Sequence, residues 1–487
     1  MTAPSAYLAI DLGASSGRAV VGTLDGDRMR MDEVHRFRTP LVEEAGHLYW
    51  DVEALLTEVR ISLNYAANTT PHLRSVSIDS WAVDYVPLDA DGRPLRRPYS
   101  YRDPRTKGRL EQVASRFGAD ALYSATGVQF LPFNTLPQIV ADLADEPDLV
   151  ARTTTRLLIA DYLLYRLSGQ MFAERTMAST TQLYDVRAGD WARSVIEFVG
   201  DDPTRWPRLV APGTVIGAVA AEWWSGPGER PTVIATCSHD TAAAVAAVPA
   251  TGGEPWAYIS SGTWSLVGGE LSRPVVTSAA RRAGFTNEVG LDGTIRFLKN
   301  RTGTWILEEC AREWLDSGEV VPWELLMREA APVQSPGFTI DCNQPAFGER
   351  GAMVGAIRRA CAAIGAPVPE TRGGLVRLVL ESLADSYRST LDELAALTGV
   401  EIEIVHVVGG GARNAILNQL TADACGRRVL AGPVEATALG NLLLQARTLG
   451  HLPNGVSIRE AARHSTDVIE YTPGRAVARS APILSVL

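Results

Sequence analysis

The segments AIDLGASSGRAVVGTLDG (residues 9–26) and YISSGTWSLVGGELS (residues 258–272) decide the predicted fold. Each begins as an apolar strand, turns through glycine, serine or threonine residues, and returns as a second strand that contains glycines. Because the same layout occurs once in each half of the chain, we interpret the two segments as a structural pseudo-repeat. The sequence therefore predicts two similar α/β domains, each containing such a hairpin.

The length of the chain also predicts two domains. It has 487 residues, whereas a single hydrophobic core rarely serves more than roughly 250 to 300 residues. Hydrophobic residues make up 46% and charged residues 21%, an ordinary globular balance. A glycine- and proline-containing stretch from Trp223 to Pro231 precedes the first clear strand of the second half. We place the boundary near Gly228, which predicts an N-terminal domain of residues 1–228 and a C-terminal domain of residues 229–487.

Charge and cysteine content exclude several classes of protein. The net charge of −10 argues against a nucleic-acid partner, because such binders neutralise phosphates with clustered Lys and Arg. ATP remains admissible, since backbone N–H groups and a divalent cation can hold it. Five widely spaced cysteines without a CxxC pair favour reduced structural thiols. With no basic leader and no run of roughly 18 apolar residues, we expect a cytoplasmic protein without a membrane partner; the oligomeric state stays open.

Apolar periodicity predicts the main elements. The predicted strands are Tyr7–Leu12, Ala19–Leu24, Ser75–Asp79, Thr232–Thr236, Trp256–Ser260, Glu401–Val408 and Arg428–Ala431. The predicted helices are one capped by Asp51, one in CSHDTAAAVAAV (residues 237–248), and those over Leu375–Leu397, Ala412–Cys425 and Glu435–Leu449. At the exit of the third strand, SIDSWAVDY (residues 77–85) gathers carboxylates and a tryptophan, and such strand ends commonly build sites.

The segment DLGASSGR (residues 11–18) is a candidate phosphate-binding turn. Small residues let backbone N–H groups approach phosphate oxygens, and Asp11 could hold Mg²⁺ through water. An ordinary hairpin turn explains the octapeptide equally well. The segment is neither a GxxxxGK[ST] P-loop nor a GxGxxG turn that opens a helix, so those two nucleotide folds are disfavoured.

Two glycine-rich turns of the second half are weaker candidates. SSGTWS (residues 260–265) offers backbone N–H groups and the Thr263 hydroxyl to phosphates. VVGGGARN (residues 407–414) has glycines that permit close approach of a flat ring or a ribose. A simple turn and a plain helix entry are the respective alternatives.

Polar residues in two further segments could contact a substrate. SHDTA (residues 238–242) places Asp240 at a strand-to-helix junction, where it could accept a hydroxyl proton, although an Asp at a helix start is more often an N-cap. SYRDPRT (residues 100–106) supplies charged groups for polyol hydroxyls, or is a solvated loop. Trp81 and Trp264 could pack on a sugar ring, or in the core.

Taken together, these segments resemble the FGGY carbohydrate kinases of the actin-like ATPase superfamily, nearly from end to end. The motifs that carry the resemblance are DLGASSGR, IDSWAVDY, YRDPRT, GVQFLPFNTLPQ (residues 127–138), SHDT, SSGTWSL, KN (residues 299–300), VVGGGARN and GPVEATALGN (residues 432–441). The resemblance implies an α/β fold of two ribonuclease-H-like domains with the active-site cleft between them. It also implies ATP and Mg²⁺, and transfer of the γ-phosphoryl group to the 1-hydroxyl of L-rhamnulose in L-rhamnose breakdown.

Site residues follow from the resemblance, position by position. Asp240 is the implied general base, and Asp11 stands on the metal side. The residues implied to line the sugar are Ala82, His239, Asp240 and Thr241. Those implied to contact the nucleotide are Ala14, Ser15, Ser16, Gly17, Arg18, Thr263, Asn300, Glu308 and Gly410.

Two positions depart from the family pattern, which usually has Trp-Gly-Val-Asp where this chain has Trp81-Ala82-Val83-Asp84, and often has Gln where Glu308 stands. The methyl group of Ala82 would crowd a sugar close to the backbone, and a carboxylate cannot donate as an amide does. Alternatives therefore include a kinase for another ketose or polyol, such as L-fuculose or D-xylulose. A nucleotide-gated partner protein or sugar sensor is a further alternative, although no peptide-binding or basic DNA-binding segment is evident.

Overall fold

The structure is a computed structural model that describes residues 5–70, 72–348 and 350–474. Its packing separates two compact units. The first unit comprises the described residues of Met1–Gly253, Gly268–Lys299 and Glu435–Asp467, and the second those of Glu254–Val267, Asn300–Val434 and Val468–Leu487. These packing units interleave along the chain, and the domain boundary near Gly228 stays a prediction.

Strands and helices alternate along most of the chain. The strands are β1 Ala6–Leu12, β2 Ser16–Asp25, β3 Arg28–Arg38, β4 Leu41–Glu44, β5 His47–Trp50, β6 Leu73–Ser80, β7 Tyr85–Leu88, β8 Thr155–Leu158, β9 Ala173–Glu174, β10 Tyr184–Asp185, β11 Asp190–Trp191, β12 Leu209–Val210, β13 Thr214–Ala218, β14 Thr232–Ala235, β15 Trp256–Ser261, β16 Trp264–Leu271, β17 Thr286–Val289, β18 Ile295–Thr302, β19 Ile404–Val408, β20 Arg428–Ala431 and β21 Ile469–Tyr471. The helices are α1 Val52–Thr69, α2 Arg109–Phe117, α3 Ala119–Thr126, α4 Thr135–Asp145, α5 Pro147–Arg152, α6 Ile159–Ser168, α7 Arg175–Ala178, α8 Arg193–Val199, α9 Asp240–Ala246, α10 Ser278–Ala283, α11 Trp305–Asp316, α12 Trp323–Ala330, α13 Met353–Ala363, α14 Arg372–Thr398, α15 Ala415–Cys425, α16 Ala436–Thr448 and α17 Ile458–Ser465.

The first unit is built on a six-stranded sheet in the order β13-β14-β6-β1-β2-β3. Strands β1, β6 and β14 run parallel, β2 pairs antiparallel with β1, and β3 pairs antiparallel with β2. Asp11 at the end of β1 lies opposite Asp79 at the end of β6 in this register. Parallel pairing therefore brings two carboxylates of distant segments to one edge of the sheet.

Strand β1 is buried on both faces, which explains its continuous apolar sequence. Leu8 and Ile10 belong to a core that contains the apolar face of α1. Tyr7 and Ala9 belong to a second core with residues of α9 and α16. Helices α9 and α16 can approach closely because Gly440 has no side chain. A Cβ at this position would overlap the carbonyl oxygen of Ala243. The small residues of both segments thus let two helices pack beneath the site-bearing strands.

In the second unit, β15, β19 and β20 run parallel and β21 pairs antiparallel with β20. Ser260 of β15 lies opposite Val408 of β19, so the two predicted turns that follow these strands leave the same edge of the sheet. The long helix α14 packs against α15 and α12. The strand–turn–strand layout of β1–β2 and of β15–β16 matches the predicted pseudo-repeat.

Most of the predicted elements are confirmed, and the exceptions concern where elements begin. Asp51 caps α1 as predicted, since its side chain accepts a hydrogen bond from the N–H of Ala54. Strand β19 begins at Ile404 rather than at Glu401. Helix α15 begins at Ala415, because residues Gly410–Arg413 form a 3₁₀ turn and Asn414 caps the helix.

Two further sequence expectations concern cysteines and membranes. All five cysteines are unbridged, in agreement with the expected free thiols. Within residues 5–70, 72–348 and 350–474, none of the helices combines the length and apolarity that crossing a membrane requires.

Candidate active site

The first candidate turn is the tight β1–β2 connection. The N–H of Gly13 donates to the carbonyl oxygen of Ser16 at 3.0 Å, and the N–H of Thr39 donates to that of Ser15 at 3.2 Å. Ser15 and Ser16 lie exposed at its tip, whereas Gly17 is buried. A Cβ at Gly17 would overlap the ring of Phe37. Packing against that ring therefore requires this glycine, and the open surface of the turn belongs to the two serines and to half-buried Ala14.

Arg18 lies between two carboxylates at the base of this turn. Its Nη2 atom donates to Asp11 Oδ2 at 2.7 Å, and its Nη1 pairs with Glu435, the N-cap of α16. The Arg18 side chain is 19% exposed. The guanidinium thus fixes the orientation of Asp11 and leaves only a small surface for a phosphate group.

Asp79 adds a carboxylate beside Asp11 that the sequence motifs left without a role. Its Oδ2 accepts a hydrogen bond of 2.6 Å from Asn441 of the GPVEATALGN segment. Its Oδ1 atom is buried and has no hydrogen-bond partner among the described residues. Burial, followed by the negative charge of Asp11, raises the pKa of Asp79 well above its ordinary value. A cation or a proton at this position would therefore be stabilised.

Asp240 is the first residue of α9, and its N-cap is His239, so the carboxylate is not the cap of this helix. The Oδ1 atom accepts hydrogen bonds from the backbone N–H and the hydroxyl of Thr241. Its side chain is 29% exposed. Burial, followed by the charge of Asp11, raises the pKa of Asp240 to about 7. A carboxylate with this pKa is a suitable general base near neutral pH.

The backbone that leads into Asp240 is held by a buried side chain of the first unit. Glu174 Oε2 accepts the N–H of Ser238 at 3.1 Å, and the Thr176 hydroxyl accepts the N–H of His239, also at 3.1 Å. The Thr176 hydroxyl in turn donates to Glu174. Burial raises the pKa of Glu174 to about 7, although the hydrogen bonds that the carboxylate accepts lower the pKa in part. Two successive amides are therefore oriented by one carboxyl group and one hydroxyl group.

The loop that carries Ala82 has a strained backbone and is held by hydrogen bonds to the buried Asp84 side chain. Val83 has a φ of +70°, which is uncommon for a β-branched residue, and the N–H of Asp84 closes a γ-turn onto the Ala82 carbonyl at 3.0 Å. The buried carboxylate of Asp84 accepts hydrogen bonds from Trp50 Nε1, Trp81 Nε1, Gln138 Nε2 and the backbone N–H of Tyr101. Strain of this kind is often kept at functional sites, and here it presents half-buried Ala82.

In contrast, two charged residues of the SYRDPRT segment are used inside the first unit. Asp103 caps a 3₁₀ turn and accepts the N–H of Leu48 at 2.7 Å. Arg105 forms a buried ion pair with Asp142 at 2.6 Å. These contacts give both residues a structural role.

In the second unit, the turn after β15 is docked on the start of α11. The carbonyl oxygen of Gly262 accepts the N–H of Thr304 at 2.9 Å. The Thr263 hydroxyl donates to Glu308 Oε1 at 3.1 Å, and the Thr304 hydroxyl donates to the same oxygen at 2.9 Å. Glu308 therefore acts as the acceptor for two hydroxyl groups, a role in which its carboxylate does not need to donate. Asn300 lies half-buried on β18.

The three glycines after β19 have different surroundings. Gly409 has a φ of +81°, and its position faces the Ser261 carbonyl. A Cβ at Gly411 would overlap the Ser261 side chain, whereas a Cβ at Gly410 would meet nothing within 4 Å. Gly410 is exposed. The structure thus separates two glycines required by the fold from one that leaves an open surface.

This difference predicts opposite consequences for two matched substitutions. Gly410→Val should leave the melting temperature nearly unchanged but raise the KM for ATP about tenfold, because a side chain would occupy the open surface that the resemblance implies for the nucleotide. Gly411→Val should lower stability by about 1 to 3 kcal/mol or more through overpacking. Thermal melts and ATP titrations of both variants test this, and a Gly410→Val enzyme with an unchanged KM would contradict it.

The structure distributes the candidates over both units. Those of the first unit are Asp11, Ala14, Ser15, Ser16, Gly17, Arg18, Ala82, His239, Asp240 and Thr241, and those of the second are Thr263, Asn300, Glu308 and Gly410. Within the first unit, electrostatic coupling links Asp11, Asp79 and Asp240. Sequence reasoning singled out the SIDSWAVDY segment that contains Asp79 but gave this residue no role, and it missed Glu174. The repeated Ile-Asp at the ends of β1 and β6 could have indicated a role for Asp79 beside Asp11.

Comparison with known protein families gives two matches that together cover most of the chain. Residues 6–247 match the N-terminal domain, and residues 257–449 the C-terminal domain, of the FGGY family of carbohydrate kinases. Both domains of the family that the sequence motifs resemble are thus present, in the expected order.

Individual proteins agree with these matches. A rhamnulokinase of Bacteroides thetaiotaomicron is 40% identical over 469 residues, which is 96% of this chain and 96% of the relative. A rhamnulokinase of Klebsiella pneumoniae is 40% identical over 96% of this chain and 94% of its own. The crystal structure of gluconate kinase from Lactobacillus acidophilus superposes with a TM-score of 0.81 at 15% identity, covering 97% of this chain and 94% of that one. The predicted pair of actin-like α/β domains is confirmed, and the chain belongs to the FGGY family of carbohydrate kinases, enzymes that use ATP as the phosphoryl donor.

Proposed function

We propose that this kinase transfers the γ-phosphoryl group of ATP to the 1-hydroxyl of L-rhamnulose, giving L-rhamnulose 1-phosphate and ADP in the cytoplasmic breakdown of L-rhamnose. The observation that carries the chemistry is the Asp240 carboxylate at the entrance to α9, where Thr241 engages only Oδ1 and burial raises the pKa of the group. The sugar is supported by the two rhamnulokinases that match almost the whole chain at 40% identity.

In this mechanism, Asp240 accepts the proton of the sugar's 1-hydroxyl as that oxygen attacks the γ-phosphorus. The bond between the γ-phosphorus and the bridging oxygen breaks, and ADP leaves with the electron pair. Both hydrogen bonds from Thr241 reach Oδ1 of Asp240, which assigns proton acceptance to Oδ2. Ala82, His239 and Thr241 line the sugar.

The nucleotide is assigned to residues of both units. The exposed tip at Ser15 and Ser16, flanked by Ala14, Gly17 and Arg18, offers backbone N–H groups to phosphate oxygens. In the second unit, Thr263, Asn300, Glu308 and Gly410 are the residues assigned to the nucleotide. The open surface at Gly410 supports its assignment to the base or ribose.

The donor set of the first unit fits Mg²⁺. Among the described residues, no group of three or more His, Cys, Asp or Glu side chains is arranged to hold a metal by itself. Mg²⁺ usually retains waters and binds one or two carboxylates together with substrate phosphates. Asp11, with the buried, unpartnered Oδ1 of Asp79 beside it, provides such a partial set. When bound, Mg²⁺ would neutralise phosphate charge.

A substrate panel tests the proposal. ADP release by the purified protein would be measured with ATP and Mg²⁺ across L-rhamnulose, L-fuculose, D-xylulose, L-ribulose and glycerol. L-Rhamnulose should give the highest kcat/KM. Preference for another sugar would contradict L-rhamnulose as the substrate. The Ala82→Gly variant, which restores the usual residue of the family, would then test whether Ala82 causes the preference. Turnover with none of the sugars would contradict the whole reaction.

The activity should also depend on pH through Asp240. Because burial raises its folded pKa to about 7, the carboxylate is protonated, and unable to accept a proton, at lower pH. We expect kcat/KM for the sugar to fall about tenfold per pH unit below this value and to level off above it. A profile measured from pH 5.5 to 8.5 with saturating ATP provides the check.

A further inference from the structure

His239 has a buried arginine on one side of its ring and Asp240 on the other. Arg296 Nη2 lies 3.0 Å from His239 Nδ1. An arginine side chain is always charged in proteins and only donates hydrogen bonds. Glu288 Oε2 also faces Nδ1, but at the longer distance of 3.5 Å, and it is paired at 2.9 Å with the same Arg296 Nη2. The nearer guanidinium therefore makes Nδ1 an acceptor, which disfavours both a proton on Nδ1 and the doubly protonated ring. The remaining form is the neutral imidazole with its hydrogen on Nε2.

Arg296 is itself firmly held. Its side chain is fully buried and forms an ion pair of 2.9 Å with Glu288, its partner across the β17–β18 hairpin. Its Nε atom donates to the carbonyl oxygen of Val289 at 3.2 Å. A guanidinium fixed at two other points cannot turn away from the imidazole without breaking buried contacts. The constraint on His239 is therefore built into the hairpin.

The consequence lies on the opposite side of the ring. His239 Nε2 is 3.4 Å from Asp240 Oδ1, so its hydrogen lies beside the carboxylate that we propose as the base. Oδ1 already accepts two hydrogen bonds from Thr241. The Nε2–H group is thus placed to donate to an oxygen atom of the substrate that lies beside the reacting hydroxyl.

We propose that Arg296 is a positioning residue that holds His239 as the Nε2–H tautomer, so that His239 always donates a hydrogen bond to a sugar oxygen next to Asp240. This inference rests on the proposed sugar kinase function. It adds that the β17–β18 hairpin of the first unit determines whether the His239 side chain donates or accepts a hydrogen bond at the sugar. With the other tautomer, Nε2 would accept instead of donate, so it could pair only with an oxygen atom that has a hydrogen to give and not with a carbonyl oxygen.

A double-mutant comparison tests this role through kcat/KM for L-rhamnulose. Glu288→Gln with Arg296→Met removes both charges of the pair, which avoids leaving one buried charge unpaired. We expect this pair variant to lower kcat/KM roughly 10- to 100-fold, mainly through KM, since a buried hydrogen bond to substrate is lost. In a His239→Gln background the same pair variant should cost less than about threefold, because the glutamine amide donates from the Nε2 position without needing a tautomer to be fixed.

A matched control separates this effect from a general loss of packing. Arg156 and Asp201 form another buried ion pair of the first unit, at 3.0 Å. Arg156→Met with Asp201→Asn should lower the melting temperature but change kcat/KM by the same factor with and without the His239→Gln substitution. Equal losses for the Glu288/Arg296 pair in both backgrounds would overturn the proposal and leave Arg296 a structural role.

Nitrogen NMR of the ¹⁵N-histidine-labelled full chain gives an answer that does not depend on turnover or on the pair variant folding. His239, assigned by its disappearance in His239→Gln, should show a protonated Nε2 and an unprotonated Nδ1 between pH 6 and 8. A proton on Nδ1, or titration to the imidazolium within that range, would overturn the proposal. If the tautomer is as expected but no sugar supports turnover, the proposed function fails and the tautomer assignment stands.

Discussion

Asp240→Asn should lower kcat by roughly 10² to 10⁴, or about 3 to 5 kcal/mol of barrier, while the melting temperature stays close to that of the unmodified enzyme. The amide has the size of the carboxyl group and its oxygen can still accept from Thr241. An amide is not basic enough, however, to take the proton from a sugar hydroxyl. Single-turnover measurements of sugar phosphorylation at saturating ATP provide the check.

The control for this prediction is an Asp→Asn change at a position outside the site. Asp91 is exposed on the turn after β7, and Asp91→Asn should leave kcat unchanged. Retention of more than about a tenth of the activity by Asp240→Asn would contradict a role as general base. It would leave the carboxylate as a group that only orients Thr241 at the start of α9.

Local sequence patterns predict much of this fold because the information lies within each segment. The apolar run of β1, the small-residue turn and the return strand are contiguous, and β20 matches its predicted limits Arg428–Ala431. The predicted start of the helix at Ala412 was wrong, because residues Gly410–Arg413 form a 3₁₀ turn and α15 begins only after it. Neither glycine content nor periodicity distinguishes such a turn from the first turn of a helix.

The site was predictable only in part, for a related reason. Asp240 and the serine tip of the first turn lie in short motifs, whereas the residues that orient them come from distant segments. Glu174 reaches Ser238 across 64 positions, and Arg296 reaches His239 across 57. The sequence also treats all glycines alike, yet Gly17 is required for packing against Phe37 and Gly410 faces open space. Only the folded neighbours separate these two cases.

Glu174→Ala should combine a loss of stability with a loss of activity. The substitution removes the acceptor for the N–H groups of Ser238, Thr176 and Met177, all of them buried. Each unsatisfied buried donor costs about 1 to 3 kcal/mol, so a total of about 3 kcal/mol or more is expected. The Thr176 hydroxyl also loses its partner, and with it the orientation that lets it accept the N–H of His239. Calorimetric melts and kcat/KM of the folded protein measure the two effects.

The activity loss is the part that distinguishes a positioning role from an ordinary helix cap. Asp202 has the same local pattern as Glu174, since it accepts the N–H and the hydroxyl of Thr204 two residues on, but it is exposed. Asp202→Ala should cost about 1 kcal/mol of stability and none of the activity. For Glu174→Ala we expect kcat/KM to fall at least about tenfold, because the amides before Asp240 lose their fixed direction and the base moves away from the sugar hydroxyl. A destabilised Glu174→Ala enzyme whose folded fraction keeps full kcat/KM would show that the backbone of Ser238 and His239 is held well enough by the sheet alone.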